Sequence, residues 1–158
     1  MQKDKETGNT LQCYNNNNNK YLGKDGRPMK ELIELLNKIG TFYLATTDGD
    51  QPHVRPLGFV MDYEGQLAFC TGNFKDMYRQ MVANPKIEIS GYDGEYILRL
   101  TGTAKFITTE DAQKKAIETM PILGTMYAAG DGKFEIFALE NGTATCSTMS
   151  GESKQLTI

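Results

Sequence analysis

Residues 96–106 read Tyr96-Ile97-Leu98-Arg99-Leu100-Thr101-Gly102-Thr103-Ala104-Lys105-Phe106, and their alternation decides the fold class. Tyr96, Leu98, Leu100, Gly102, Ala104 and Phe106 fall on one face, with Arg99, Thr101, Thr103 and Lys105 on the other. A period of two is that of a strand with one face buried. Just upstream, Asp93-Gly94 is a hairpin signal. It joins this strand to residues 86–91, where Ile87 and Ile89 point inward.

The same pattern extends outward in both directions. Residues 41–47 are β-prone and apolar on both faces, and Asp48-Gly49-Asp50-Gln51 reads as a turn into a second strand over 52–61. Pro56 inside that strand implies an edge or a bulge. A turn at Tyr63-Glu64-Gly65-Gln66 leads to a third strand, 67–71. Asn73 is a candidate cap for a helix running to Ala83, with Phe74, Met77, Met81 and Val82 on its apolar side and Pro85 ending it. Thr108 and Asp111 suggest a capped helix to Met120. A strand over 133–139, a turn at Glu140-Asn141-Gly142 and a strand over 143–149 complete the chain. In front of all this, Leu32, Ile33, Leu35, Leu36 and Ile39 keep helical spacing, and Gly40 supplies a stop. Sequential hairpins favour antiparallel pairing. About seven short strands with few helices predict a mostly β, α+β domain: a small closed or nearly closed antiparallel barrel or a sandwich, which pattern alone does not separate.

Composition narrows the function. The 158 residues are 39% hydrophobic with a net charge of −3, enough for one domain and one core. No basic run points to nucleic acid, and no stretch approaches a membrane span. The polar N-terminus lacks the apolar region of a secretory signal, so a cytoplasmic location is expected. Residues 1–28 differ from the rest: they hold the run Asn15 to Asn19, five basic and three acidic side chains, and few apolar ones. They read as a low-complexity, flexible extension, an appended or upstream-translated leader before a domain over 29–158, with Met29 a natural start. A docking tail is the functional alternative. Cys13, Cys70 and Cys146 are widely spaced and His53 is the only histidine, which excludes a Cys/His zinc site and predicts reduced thiols.

Two segments carry candidate chemistry. In His53-Val54-Arg55-Pro56-Leu57-Gly58-Phe59, the residues His53, Arg55, Leu57 and Phe59 share a face, and Gly58 would let a flat ligand approach the backbone. In Phe69-Cys70-Thr71-Gly72-Asn73-Phe74-Lys75-Asp76 a strand hands over to a helix, whose free N–H groups favour an anion. Thr71, Asn73 and Lys75 would surround a phosphate, and Arg55 could add a bidentate fork. The plainer readings are that Thr71 and Asn73 serve the turn, Lys75 is a solvated lysine, Cys70 is a small buried hydrophobe, Asp76 pairs with Arg79, and His53 is an ordinary polar residue.

Taken in order, these segments resemble the FMN-binding split barrels related to pyridoxamine-phosphate oxidase. The resemblance runs from Phe42-Tyr43-Leu44-Ala45-Thr46 through Asp48-Gly49, Arg55-Pro56-Leu57-Gly58-Phe59, Phe69-Cys70-Thr71 with Lys75, and Asn84-Pro85 to the Gly102 strand. It covers residues 29–158. It implies FMN as cofactor, with the backbone from Arg55 to Phe59 along the ring system, Thr71, Asn73 and Lys75 at the phosphate, and Arg55 assisting. It further implies a homodimer with the flavin at the interface, for which the two-sided apolarity of 41–47 and an outward-facing Phe137 and Leu139 are the expected signs. The chain departs from the vitamin B6 oxidase itself, because Lys75 is followed by Asp76 and the C-terminal region has no Trp. It looks closer to the small nitroimidazole-reductase-like members, where His53 would be the residue near the flavin. The expected function is a flavin oxidoreductase acting on an unknown small molecule. The alternatives are a flavin storage or sensor module, or a split barrel that holds haem or a deazaflavin.

Overall fold

A computed structural model describes residues 29–158; the expected extension over 1–28 lies outside the described residues. Helix α1 (Met29–Ile39) buries Met29, Leu32, Leu35 and Leu36 and ends where Gly40, at φ +75°, donates its N–H to the Leu36 carbonyl at 2.9 Å. Strands β1 (Phe42–Asp48), β2 (Gln51–Leu57), β3 (Met61–Tyr63) and β4 (Gln66–Gly72) follow, then α2 (Asp76–Ala83), β5 (Lys86–Tyr92), β6 (Tyr96–Phe106), α3 (Glu110–Thr119), β7 (Phe134–Thr148) and β8 (Ser153–Thr157). All pairings are antiparallel, in the order β2-β1-β5-β6-β7-β4-β3, with β8 added to the far half of β7. The sheet is not closed, so the architecture is a split barrel rather than a sandwich. Its two ends are β2 and β3. Helix α2 packs on both β1 and β4, one strand in from either end.

The interior is aromatic and aliphatic. Phe42 and Phe69 meet edge to face at 5.9 Å, Phe69 stacks on Phe137 at 5.5 Å, and Leu36, Leu44, Leu98 and Leu100 surround them. A second cluster lies on the opposite face of β4 and β7. There Met61, Ala68, Phe134 and Ile136 pack with Ala112 and Ala116 of α3. Because β7 is covered on both faces here, Phe137 and Leu139 are core residues, and the expectation that they face outward is corrected.

Four other expectations change. The strand predicted over 52–61 breaks after Leu57, and Phe59, Val60 and Met61, all buried, carry the chain to β3 at the other end of the sheet. No turn forms at Glu140-Asn141-Gly142. Strand β7 runs through it with a bulge opposite Thr101 and Thr103, Asn141 taking the left-handed φ of +49°. Gly102 accommodates that bulge, since a Cβ there would lie 2.7 Å from the Leu139 side chain and 2.9 Å from the Glu140 carbonyl. Thr109, not Thr108, caps α3 by accepting from the Ala112 N–H, and Thr108 instead donates to Glu135. Finally, Cys70, expected as a small buried hydrophobe, is a half-buried free thiol. Among the described residues no helix is long and apolar enough to cross a membrane.

Candidate functional site

Strand β2 alternates exposed Pro52, Val54 and Pro56 with half-buried His53, Arg55 and Leu57. Register places His53 opposite Thr46 and Arg55 opposite Leu44 on β1. From there the Arg55 guanidinium reaches both β1 and α2. Its Nη1 donates to Thr46 Oγ1 at 2.6 Å and, at 3.4 Å, to the Leu44 carbonyl; its Nη2 donates to Gln80 Oε1 at 2.7 Å. Thr46 Oγ1 in turn donates to Gln80 Oε1 at 2.6 Å. Thr46 and Gln80 are buried, at 2% and 3% exposure.

No carboxylate pairs with Arg55 among the described residues. Burial pushes the Arg55 pKa down, and Asp76 at longer range pulls it back up. Arginine nonetheless stays charged at any physiological pH. The side chain is therefore a partly desolvated cation held by neutral oxygens.

The strand-to-helix junction supplies the second half. Thr71, near the end of β4, is 2% exposed and its Oγ1 has no hydrogen-bond partner. Leaving a buried hydroxyl unpaired costs about 1–3 kcal/mol. Lys75 is the N-cap residue of α2, is exposed, makes no ion pair among the described residues, and provides no side-chain cap. The first-turn N–H groups of α2 thus lack a side-chain acceptor from the cap position. Asp76 forms the i, i+3 pair with Arg79, at 3.0 Å. Beside them, burial pushes the Cys70 thiol up to about 12, with Lys75 pulling weakly the other way.

Not every singled-out residue converges here. The Asn73 side chain does not cap α2. Its amide donates to the Gly132 carbonyl at 2.8 Å and to Glu135 at 3.3 Å, bracing the junction against the loop before β7. Phe59 is buried in the second cluster, and Leu57 packs against the main core. Pro56 faces outward. A Cβ on Gly58 would touch only the Gly40 carbonyl, at 3.5 Å, so that backbone is open. Thr46 and Gln80 carried no motif. The available signal was a glutamine between Tyr78 and Met81 on the inner face of α2, where Gln80 is buried and Val82 is not. A cavity of about 370 Å³ lies elsewhere, between Met29, Leu67, Leu139, Glu140, Asn141 and Ile158, and none of the site residues lines it.

The outer face beside Arg55 is apolar. Val54 is 66% and Tyr43 50% exposed, with Tyr43 opposite Pro56 and Ala45 opposite Val54.

The family model described as pyridoxamine 5'-phosphate oxidase matches residues 28–145. A NimC/NimA family protein from Clostridium acetobutylicum is 39% identical, with a TM-score of 0.79 over 82% of this chain and 92% of that one. A pyridoxamine 5'-phosphate oxidase-related, FMN-binding protein from Nostoc punctiforme shares 17% identity at a TM-score of 0.54, over 83% and 97% of the two chains. A heme-binding protein from Mycobacterium smegmatis shares 15% at 0.58, over 77% of this chain and 57% of that one. These last two likenesses are of fold alone. No curated protein matches the chain.

Proposed function

Because the chain belongs to the pyridoxamine 5'-phosphate oxidase family, we propose that it binds FMN at the β2–α2 site and works as a homodimeric flavin oxidoreductase on a small molecule. The observation that carries this is Arg55, a half-buried cation with no carboxylate partner. A partly desolvated charge of that kind calls for an anion. The FMN phosphate meets the need, with Lys75 and the uncapped first turn of α2 as further donors and the unpartnered Thr71 hydroxyl nearby. The residues present therefore fit the group. Bound FMN would supply hydride and electron transfer, for which the protein contributes binding and electrostatics. The open backbone at Gly58 leaves room for the ring system along β2.

The dimer follows from the outer face. Strand β2 is a sheet edge, and Pro52, Val54, Pro56 and Tyr43 present apolar surface to solvent there. A two-fold contact across this face would cover that surface.

The test is the spectrum of the purified protein. Flavin bands that bleach with NAD(P)H and recover in air are expected. Flavin bands unresponsive to any donor would leave a storage module. A Soret band would favour haem, as in the Mycobacterium smegmatis neighbour, with His53 as the histidine on the same face as Arg55. Lys75→Ala is expected to weaken FMN binding by about 1.5–3 kcal/mol, measured by flavin fluorescence quenching; unchanged affinity removes Lys75 from the site.

A further inference from the structure

Arg55 is held by two side chains, and both are uncharged. We propose that Thr46 and Gln80 are positioning residues, a neutral clamp that fixes the Arg55 guanidinium without discharging it, so that its charge and its free edge serve an incoming phosphate group. This rests on the assignment of Arg55 to a phosphate made above.

The hydrogen bonds form a closed ring, Nη1 to Thr46 Oγ1 to Gln80 Oε1 to Nη2. Such a ring stops the guanidinium from rotating. It uses the edge between the two terminal nitrogens, and the second hydrogen of Nη1 reaches toward the Leu44 carbonyl. Nε makes no hydrogen bond among the described residues, and neither does the second hydrogen of Nη2. Those two N–H groups lie on one edge of the planar fork and match two oxygens of a phosphate.

The identity of residue 80 is the point of the device. A half-buried arginine is ordinarily met by a carboxylate, and glutamate has the same shape as glutamine. Glutamate here would place a negative oxygen 2.7 Å from Nη2. The arginine would then be spent before any anion arrived. Glutamine keeps the geometry and leaves the charge. Burial of both clamp residues prevents water from replacing either contact.

The experiment compares the full chain with Gln80→Glu. Melting is followed in inorganic phosphate and in chloride at equal ionic strength, and FMN and riboflavin affinities are measured by fluorescence quenching. The wild-type protein is expected to gain thermal stability from phosphate. Gln80→Glu is expected to lose that gain and to bind FMN about tenfold or more weakly, with riboflavin affinity retained and the melting point in chloride not lowered. Thr46→Val should lose part of the phosphate response, and Thr46→Ser should restore it. An undiminished phosphate response and FMN affinity in Gln80→Glu would overturn the clamp. If that variant fails to fold, an undiminished response in Thr46→Val overturns it. A clamp-dependent phosphate response in a protein that does not prefer FMN to riboflavin upholds the clamp and removes the cofactor reading. A wild-type protein that responds to neither phosphate nor FMN removes both.

Discussion

Arg55 and Lys75 were visible in the sequence because charge and local context are written in residue type. Lys75 sits where a strand becomes a helix, and Arg55 alternates with apolar neighbours along β2. Gln80 and Thr46 were not visible, since their role depends on α2 lying against β1, a contact between residues 34 positions apart. Asn73 does not cap α2 for the same reason: its partners Gly132 and Glu135 are remote in sequence. Cys70 offers a test at this scale. Burial raises its thiol pKa from 9.0 to about 12, so the folded state holds the proton more tightly than the unfolded state does. Its contribution to stability is complete below about pH 9 and declines as pH rises toward about 12. Alkylation by iodoacetamide at pH 8 should accordingly be slow in the native protein and fast after denaturation. Rapid labelling of the native thiol would contradict the raised pKa.

At the scale of elements, local signals were read well and long-range ones poorly. The helix ending at Gly40, the Gly49 and Gly94 hairpins and the alternation in β6 all follow from patterns a few residues wide. The turn expected at Glu140-Asn141-Gly142 became a bulge because β6 continues alongside, and Gly102 leaves the space. The strand over 52–61 divided because its first part pairs with β1 and its last residue, Met61, with Ala68 of β4, at opposite ends of the sheet. The link between α1 and the β5–β6 hairpin rests on Asp93, which accepts from Lys38 Nζ at 2.7 Å and from the N–H groups of Glu95 and Tyr96. Burial alone would raise the Asp93 pKa; these donors outweigh it and hold the carboxyl below its usual value. The stabilisation is therefore present at neutral pH and is lost as acid protonates Asp93 below the ordinary carboxylate range. Asp93→Ala should cost about 1–3 kcal/mol in urea denaturation at pH 7. The gap between mutant and wild type should shrink in strong acid, and a gap that does not narrow would contradict the charge-based account.

For the whole molecule, the split between β2 and β3 frames the proposed site. Helix α2 touches β1 and β4, so Arg55, through Gln80, is tied to the same helix that begins at the strand-to-helix junction. Residue pattern could not choose between barrel and sandwich, because both use the same alternating hairpins; the choice came from non-local strand order. Association follows at this scale too. Val54→Glu places a charge on the exposed β2 face without touching the core. It is expected to shift the mass measured by light scattering from two chains toward one, with the fold retained by circular dichroism. An unchanged dimer would move the interface elsewhere. Riboflavin lacks the phosphate proposed to meet Arg55, so comparing it with FMN isolates that contact. Titration of the cofactor-free chain should give FMN binding at least about tenfold tighter than riboflavin, with Arg55→Met reducing that preference to what Lys75 and the first turn of α2 supply. Equal affinity for the two flavins, or a preference for FMN undiminished in Arg55→Met, would contradict the phosphate contact.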